Sequence, residues 1–226
     1  MTDSYQLVTF GNESEPVVII DDFTDQFEQL KAGAESAEFS PVPFGYPGIR
    51  APVSPAYLRE HQSLLANVLR GHFAFSHGIS LQDADYSIVT TPAGELKQSQ
   101  RMPHYDDTAP DLLALLHYIN CPDNGGTAFY RHKTTGFETI TPERREFYSQ
   151  TLAQEMEEYG PFPARYLDGD NERFEKIGEV EGIPNRLVIY RGRTLHSGCI
   201  RPDARLAANP SHGRLTINIF AANIQS

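Results

Sequence analysis

The sequence predicts a mainly β fold with flanking helices, of the double-stranded β-helix, jelly-roll or cupin-like kind. Three observations predict it. From about residue 84 onward, short runs rich in β-branched and aromatic residues follow one another with tight turns between them. A dense turn signal, Pro122-Asp123-Asn124-Gly125-Gly126, separates two of these runs. Helical periodicity is confined to the first third of the chain and to one later stretch.

Taken in order, residues 16–21 form a β-branched run that predicts a strand, and Thr24 then caps a helix carrying Phe27, Leu30 and Ala34 at helical spacing. Residues 41–52 are too rich in proline and glycine for regular structure and are expected to be a loop. Ser54-Pro55 opens a second helix, whose buried face runs through Leu58, Leu65, Val68 and Leu69. Both helices are expected on the outside of the sheet. Strands follow at 86–91, 112–120, 127–131 and 136–140. Thr141-Pro142-Glu143 starts one more helix, with Phe147, Tyr148, Leu152, Met156 and Tyr159 as its apolar stripe. Strands at 174–180, 186–190 and 214–222 complete the pattern. No repeat, low-complexity tract or linker interrupts it, so residues 1–226 are expected to form one domain: a helical preface, 1–83, packed on a jelly-roll core, 84–226.

The chain has 226 residues, enough to bury a core without covalent staples, and a formal net charge of −11, which disfavours nucleic acid as a partner. Its two cysteines, Cys121 and Cys199, make no disulfide framework and suit a reducing compartment. There is no apolar run of membrane-spanning length and no signal-like start. These features lead us to expect a cytoplasmic protein with no membrane or nucleic-acid partner.

The chemistry is concentrated in His104-Tyr105-Asp106 and in His196. In an extended segment residues i and i+2 project to one side, so His104 and Asp106 can reach one metal while Tyr105 points away. Two imidazoles and one carboxylate hold divalent iron by one face and leave positions open for substrates. A His-x-Asp also arises by chance or from turn chemistry. A second constellation strengthens it: in residues 214–220 Arg214, Thr216 and Asn218 share one face and Leu215, Ile217 and Ile219 the other. A surface strand would alternate in this way too, but a guanidinium followed by hydroxyl and amide groups is also what a carboxylate pocket requires.

Five elements, in order, are His104-Tyr105-Asp106, Tyr118-Ile119-Asn120, Gly125-Gly126-Thr127, His196 and Arg214. Together they resemble the 2-oxoglutarate/Fe(II)-dependent dioxygenases, in particular the prolyl-hydroxylase-like branch. The resemblance implies a jelly roll, Fe(II) held by His104, Asp106 and His196, and 2-oxoglutarate as cosubstrate. Its far carboxylate would be neutralised by Arg214, with Thr216 or Tyr118 hydrogen-bonding to it. The implied reaction oxidises a C–H bond of a peptide, amino acid or small metabolite, with release of succinate and carbon dioxide. Asp106 occupies the position that a halide needs in the halogenating relatives, so hydroxylation is the implied outcome. Arg205, nine residues past His196, is nearer the family's usual interval than Arg214, eighteen past it. Arg214 is preferred because it begins an alternating strand, whereas Arg205 sits in a loop-like stretch.

Two other classes fit the same strands: a cupin-like metal enzyme that does not use 2-oxoglutarate, and a non-catalytic jelly-roll binding module. Substrate-reading residues are expected in 43–53, around Gln98 and Gln100, and in 197–213, which is either a lid carrying Arg201 and Arg205 or a passive excursion. His61, His72 and His77 are expected to be surface or structural. His117 and Tyr118 point to opposite faces of one strand, and so do Arg131 and His132, so at most one of each pair lines the site. Cys199 is expected to be incidental.

Overall fold

The alternation of the strand β6 (Leu112–Asn120) dictates the layering of the molecule. Leu113, Leu115 and Ile119 belong to one apolar cluster, while Ala114, Leu116 and Tyr118 belong to another. A strand buried on both faces in this way must lie in a central sheet. The computed structural model describes residues 4–42, 45–75, 78–122, 125–204 and 206–224.

The remaining elements are β1 (Gln6–Thr9), β2 (Pro16–Ile20), α1 (Phe27–Ser36), β3 (Ser40–Pro41), β4 (Gly48–Pro52), α2 (Gln62–Phe73), β5 (Ile79–Val89), β7 (Thr127–His132), α3 (Pro142–Tyr159), β8 (Phe174–Val180), β9 (Arg186–Arg191), β10 (His196–Gly198) and β11 (Leu215–Asn223). Eight strands form one sheet in the order β1-β2-β9-β6-β11-β5-β4-β3, and three form a second in the order β10-β7-β8. All the strand pairings are antiparallel. Helices α1 and α2 pack on the outer face of the large sheet through Leu30, Ala34, Leu65, Val68, Leu69 and Phe73. Its inner face meets the small sheet through Val188, Tyr190, Phe129 and Val180. Helix α3 covers the outer side of the small sheet, where Tyr148 packs with Ala128, Tyr130 and Phe174. The result is the expected jelly roll with helices outside.

Several local expectations need correction. Residues 1–83 supply four strands of the large sheet as well as helices, because β1–β2 and β3–β4 extend its two edges. The stretch 41–52 contains β4 despite its prolines. Gly48 makes this pairing possible, since a Cβ there would sit 1.9 Å from the Ile88 carbonyl oxygen. Thr24 does not cap α1, which begins after Gln26; its hydroxyl accepts from the Gln26 amide while Asn185 clasps its backbone at 3.1 and 3.0 Å. Ser54 does cap, accepting from the Ala56 amide at 3.3 Å, but what it opens is a 3-10 helix, Pro55–His61, and α2 begins only at Gln62. Residues 136–140 contribute only an isolated bridge, Thr139 to Thr194. On α3 the buried positions are Tyr148, Thr151 and Glu155, while Phe147 and Tyr159 are exposed. Glu155 is inside because His132, itself fully buried, bonds to it at 3.0 Å.

The turn between β6 and β7 ends in two glycines for a steric reason. A Cβ on Gly126 would lie 1.9 Å from the Val180 carbonyl oxygen, and one on Gly125 2.7 Å from that of Cys199. Gly126→Ala should therefore lower the thermal midpoint by more than Gly94→Ala, whose Cβ would meet open space. Thermal unfolding of the two variants by circular dichroism checks this, and equal midpoints would mean that β7 can move off β8 without cost.

Candidate metal centre

His104, Asp106 and His196 converge because the backbone of one segment is stitched to the other. His104 N–H donates to the His196 carbonyl at 2.9 Å and His196 N–H donates to the His104 carbonyl at 2.8 Å. Residues exchanging both bonds across an antiparallel bridge project to the same side. Their ring centroids are 4.3 Å apart. Asp106, two residues on, is held by its own N–H donating to the Gly192 carbonyl at 2.7 Å. One ligand atom from each of the three side chains can be chosen so that all lie within 4.8 Å of one another.

The donor set is prepared for a cation. His196 Nδ1 lies 2.8 Å from the Thr194 carbonyl oxygen, which fixes the proton on Nδ1 and leaves the Nε2 lone pair facing Asp106. Asp106 Oδ2 is buried and accepts no hydrogen bond, and it lies 3.8 Å from His196 Nε2. Burial depresses both imidazoles to about 4, with mutual repulsion adding to the effect on His104. His104 exposes 53% of its side chain and lines the cavity, so His196, 6% exposed, is the more deeply set of the two imidazoles. Burial raises the Asp106 carboxyl to about 6 against the pull of His104 and Arg50. Holding that carboxylate charged at neutral pH thus costs on the order of 3 kcal/mol relative to water. A divalent ion would offset this cost by giving the orphaned oxygen its missing partner. The residues present fit such an ion.

The three side chains line a cavity of about 460 Å³ between the sheets. Arg214 lines it too, just before β11. Its Nε donates to the Gly125 carbonyl at 2.8 Å and Nη2 to the Gly126 carbonyl at 2.9 Å, which fixes the guanidinium plane. Thr216 lines the same wall, with its hydroxyl donating to Asn218 Oδ1 at 2.9 Å. Tyr118 is placed differently. It is fully buried beneath Arg214, with the guanidinium carbon 5.6 Å from its ring centroid. Its hydroxyl is 2.7 Å from Thr127 Oγ1, and Thr127 rather than Tyr118 lines the cavity.

Sequence reasoning missed two wall residues, Tyr46 and Arg50. The Arg50 guanidinium carbon lies 4.6 Å from the Tyr46 ring centroid, and the buried Tyr46 hydroxyl and Arg50 Nε both lack a partner. Burial pushes the Tyr46 hydroxyl up to about 12, against the pull of Arg214 and Arg50. Their signal was the stretch 43–53 taken whole, without a strand register to say which side chain faces inward. Gln100 also lines the wall and ties the rim, its amide donating to the Gly45 carbonyl at 3.0 Å.

The other candidates fall outside. His117 faces the helices, bonded to Tyr57 and Asn185 at 3.3 and 3.2 Å. Arg131 is paired with Glu138 and Glu175, and His132 is buried against Glu155 rather than at a solvated strand end. Of the segment after His196, Ser197, Gly198 and Ile200 line the cavity, while Arg201 is exposed and not among the lining residues. Asn120 ties the far end of that segment, donating to the Gly213 carbonyl at 2.9 Å. Arg205, His77, Asp123 and Asn124 lie outside the described residues.

Comparison with solved structures agrees with the fold. The non-heme alpha ketoglutarate dependent epimerase SnoN from nogalamycin biosynthesis superposes with a TM-score of 0.52 at 12% identity, covering 92% of this chain and 78% of that one. HygX from Streptomyces hygroscopicus, solved with iron bound, gives a TM-score of 0.52 at 12% identity over 93% of this chain and 83% of its own. The form of HygX with nickel, 2-oxoglutarate and hygromycin B bound gives 0.51 at 13% identity over 93% and 84%. No curated protein matches. A family model matches residues 2–221, and the chain belongs to that family, described as a family of unknown function (DUF6445).

Proposed function

We propose that this chain is an Fe(II)- and 2-oxoglutarate-dependent oxygenase that hydroxylates a C–H bond of a small molecule or peptide, releasing succinate and carbon dioxide. The observation that carries this reading is the orphaned Asp106 oxygen, set between two neutral imidazoles in the same cavity as a half-buried arginine oriented by two carbonyls. The fold shared with SnoN, an alpha ketoglutarate dependent epimerase, and with HygX, solved with 2-oxoglutarate bound, supports it.

His104, Asp106 and His196 would hold the iron. When bound, it supplies the oxidising chemistry by activating oxygen at the expense of 2-oxoglutarate. The chain's own part is to position and to exclude water. Arg214, already oriented by the Gly125 and Gly126 carbonyls, meets the far carboxylate of the cosubstrate with its remaining N–H groups, and Thr216 lies two residues along the same wall. Tyr118, its hydroxyl taken up by Thr127, does not line this wall, whereas Tyr46 does, with a hydroxyl that has no partner. Thr194 keeps His196 in the ligating tautomer throughout.

Two outcomes are expected. Because the imidazoles are neutral above about pH 4 and the Asp106 carboxyl retains its proton up to about 6, metal binding must expel one proton below pH 6. Affinity should climb roughly tenfold per pH unit up to about 6 and then level off. Anaerobic Fe(II) calorimetry across pH 5–8 reads this, and a flat profile, or one unchanged in Asp106→Ala, would remove Asp106 from the ligand set. Second, Arg214→Gln should weaken 2-oxoglutarate binding by about 1.5–3 kcal/mol, the loss of one charge-assisted contact, without altering metal affinity. A weak visible absorption on adding 2-oxoglutarate to the anaerobic Fe(II) protein reports that binding. Metal uptake with no such band in the wild type would favour an enzyme that does not use 2-oxoglutarate.

A further inference from the structure

Arg50 reaches the cavity from the strand opposite to the one that follows Arg214. In the sheet register Arg50 on β4 pairs with Ser87 on β5, which pairs with Thr216 on β11, which pairs with Tyr118 on β6. The four residues therefore share one row on the inner face. Arg214 stands two residues before Thr216 on the far side of β5, so the two guanidinia approach the cavity from different strands. Arg214 is fixed by two carbonyls, whereas among the described residues no acceptor bonds to the Arg50 side chain. Its counter-ion, Asp85, lies 3.9 Å away, beyond hydrogen-bond reach, and does not line the cavity.

The charge inventory asks for one more anion. Asp106 is the one carboxylate among the lining residues, against two guanidinia. On the reading proposed above, a divalent metal, Asp106, Arg214 and doubly charged 2-oxoglutarate sum to neutrality without Arg50. Arg50 keeps 25% of its side chain exposed, but its Nε is buried with no acceptor, and that donor stays unmet unless a ligand supplies an oxygen. The neighbouring Ser87 hydroxyl is likewise buried without a partner.

We infer that the substrate carries a carboxylate, and that Arg50, braced by the Tyr46 ring, receives it while the carbon to be oxidised faces the metal. This rests on the proposed function. A planar guanidinium stacked on an aromatic ring presents a fork suited to two carboxylate oxygens, which a carboxamide cannot match. Gly48, which lets β4 approach β5, sets the height at which Arg50 enters.

The test uses full-length protein loaded with Ni(II) and 2-oxoglutarate, so that nothing turns over. Its thermal midpoint is measured with acetate, benzoate and the twenty amino acids, each beside its own carboxamide. At least one acid should raise the midpoint while its amide does not. Arg50→Gln should abolish the shift, Arg50→Lys should retain part of it, and the 2-oxoglutarate Kd by calorimetry should stay within about threefold of wild type in both. Circular dichroism of the unliganded variants separates a folding defect from a binding one. Amides as effective as acids, no effective acid, or a shift that survives in Arg50→Gln would overturn the inference. So would a loss of roughly tenfold or more in 2-oxoglutarate affinity on Arg50→Gln that Arg214→Gln does not produce, since Arg50 would then be the cosubstrate arginine. Failure of the wild type to bind Ni(II) and 2-oxoglutarate at all would instead sink the oxygenase reading, and the acid-against-amide comparison on metal-free protein would still decide the role of Arg50.

Discussion

Two backbone hydrogen bonds between His104 and His196 hold together segments that are far apart in sequence, and the candidate site exists because of them. The Asp106 N–H, donating to the Gly192 carbonyl, adds a third tie between the same segments. His104 follows a run of short 3-10 turns outside the sheets, and His196 begins β10, the edge strand of the small sheet. The bridge makes the first segment a further, one-residue strand on that edge. Because paired residues of such a bridge share a side, it also decides that both imidazoles face the large sheet's inner wall, where Arg214 and Thr216 wait. Gly192 completes the geometry: a Cβ there would lie 3.3 Å from that of Asp106, tight enough to turn the carboxylate away.

Electrostatics then work on a scaffold already made. Burial between the two sheets favours neutral imidazoles and raises the cost of the Asp106 charge. The small sheet contributes the ligand edge and the large sheet contributes the cations. The glycines of the β6–β7 turn connect the two, since their carbonyls orient Arg214 while their missing side chains let β7 close on β8.

What the sequence disclosed follows a physical division. Strands buried on one or both faces, such as β6, β8 and β11, announce themselves by composition, and their bounds were legible to within a residue. The ligand candidates were legible as chemistry, since few purposes need His-x-Asp with a distant His. Edge elements were not. β4 pairs on one side with a strand and on the other with a two-residue strand, so backbone pairing rather than side-chain pattern holds it, and its prolines read as loop. Helix α3 misled in part: Tyr148, Leu152 and Met156 do pack toward the small sheet, but Phe147 and Tyr159 are exposed and Glu155, satisfied by His132 and Thr134, is buried. Tyr118 was legible as a tyrosine beside the arginine but not as one whose hydroxyl Thr127 already occupies, because a hydrogen bond between neighbouring strands leaves no trace in periodicity.

The same division explains how a chain can share a fold with SnoN and HygX at 12–13% identity. The inner walls require only alternation, apolar bulk and a few close backbone approaches, all of which many sequences satisfy. Alternation alone does not supply the positions where one backbone crowds another or a polar group lacks a partner, Gly48, Gly126 and Asp106 among them here. Arg50 belongs with them by its buried, unshared Nε, yet it sits on β4, next to the margin of the sheet, where Gly48 permits the close approach to β5. A strand so near the margin of the sheet can shift without unravelling the core, so the wall that carries Arg50 is free to change while the opposite wall, built on the central strands β6 and β11, is held by pairing on both sides.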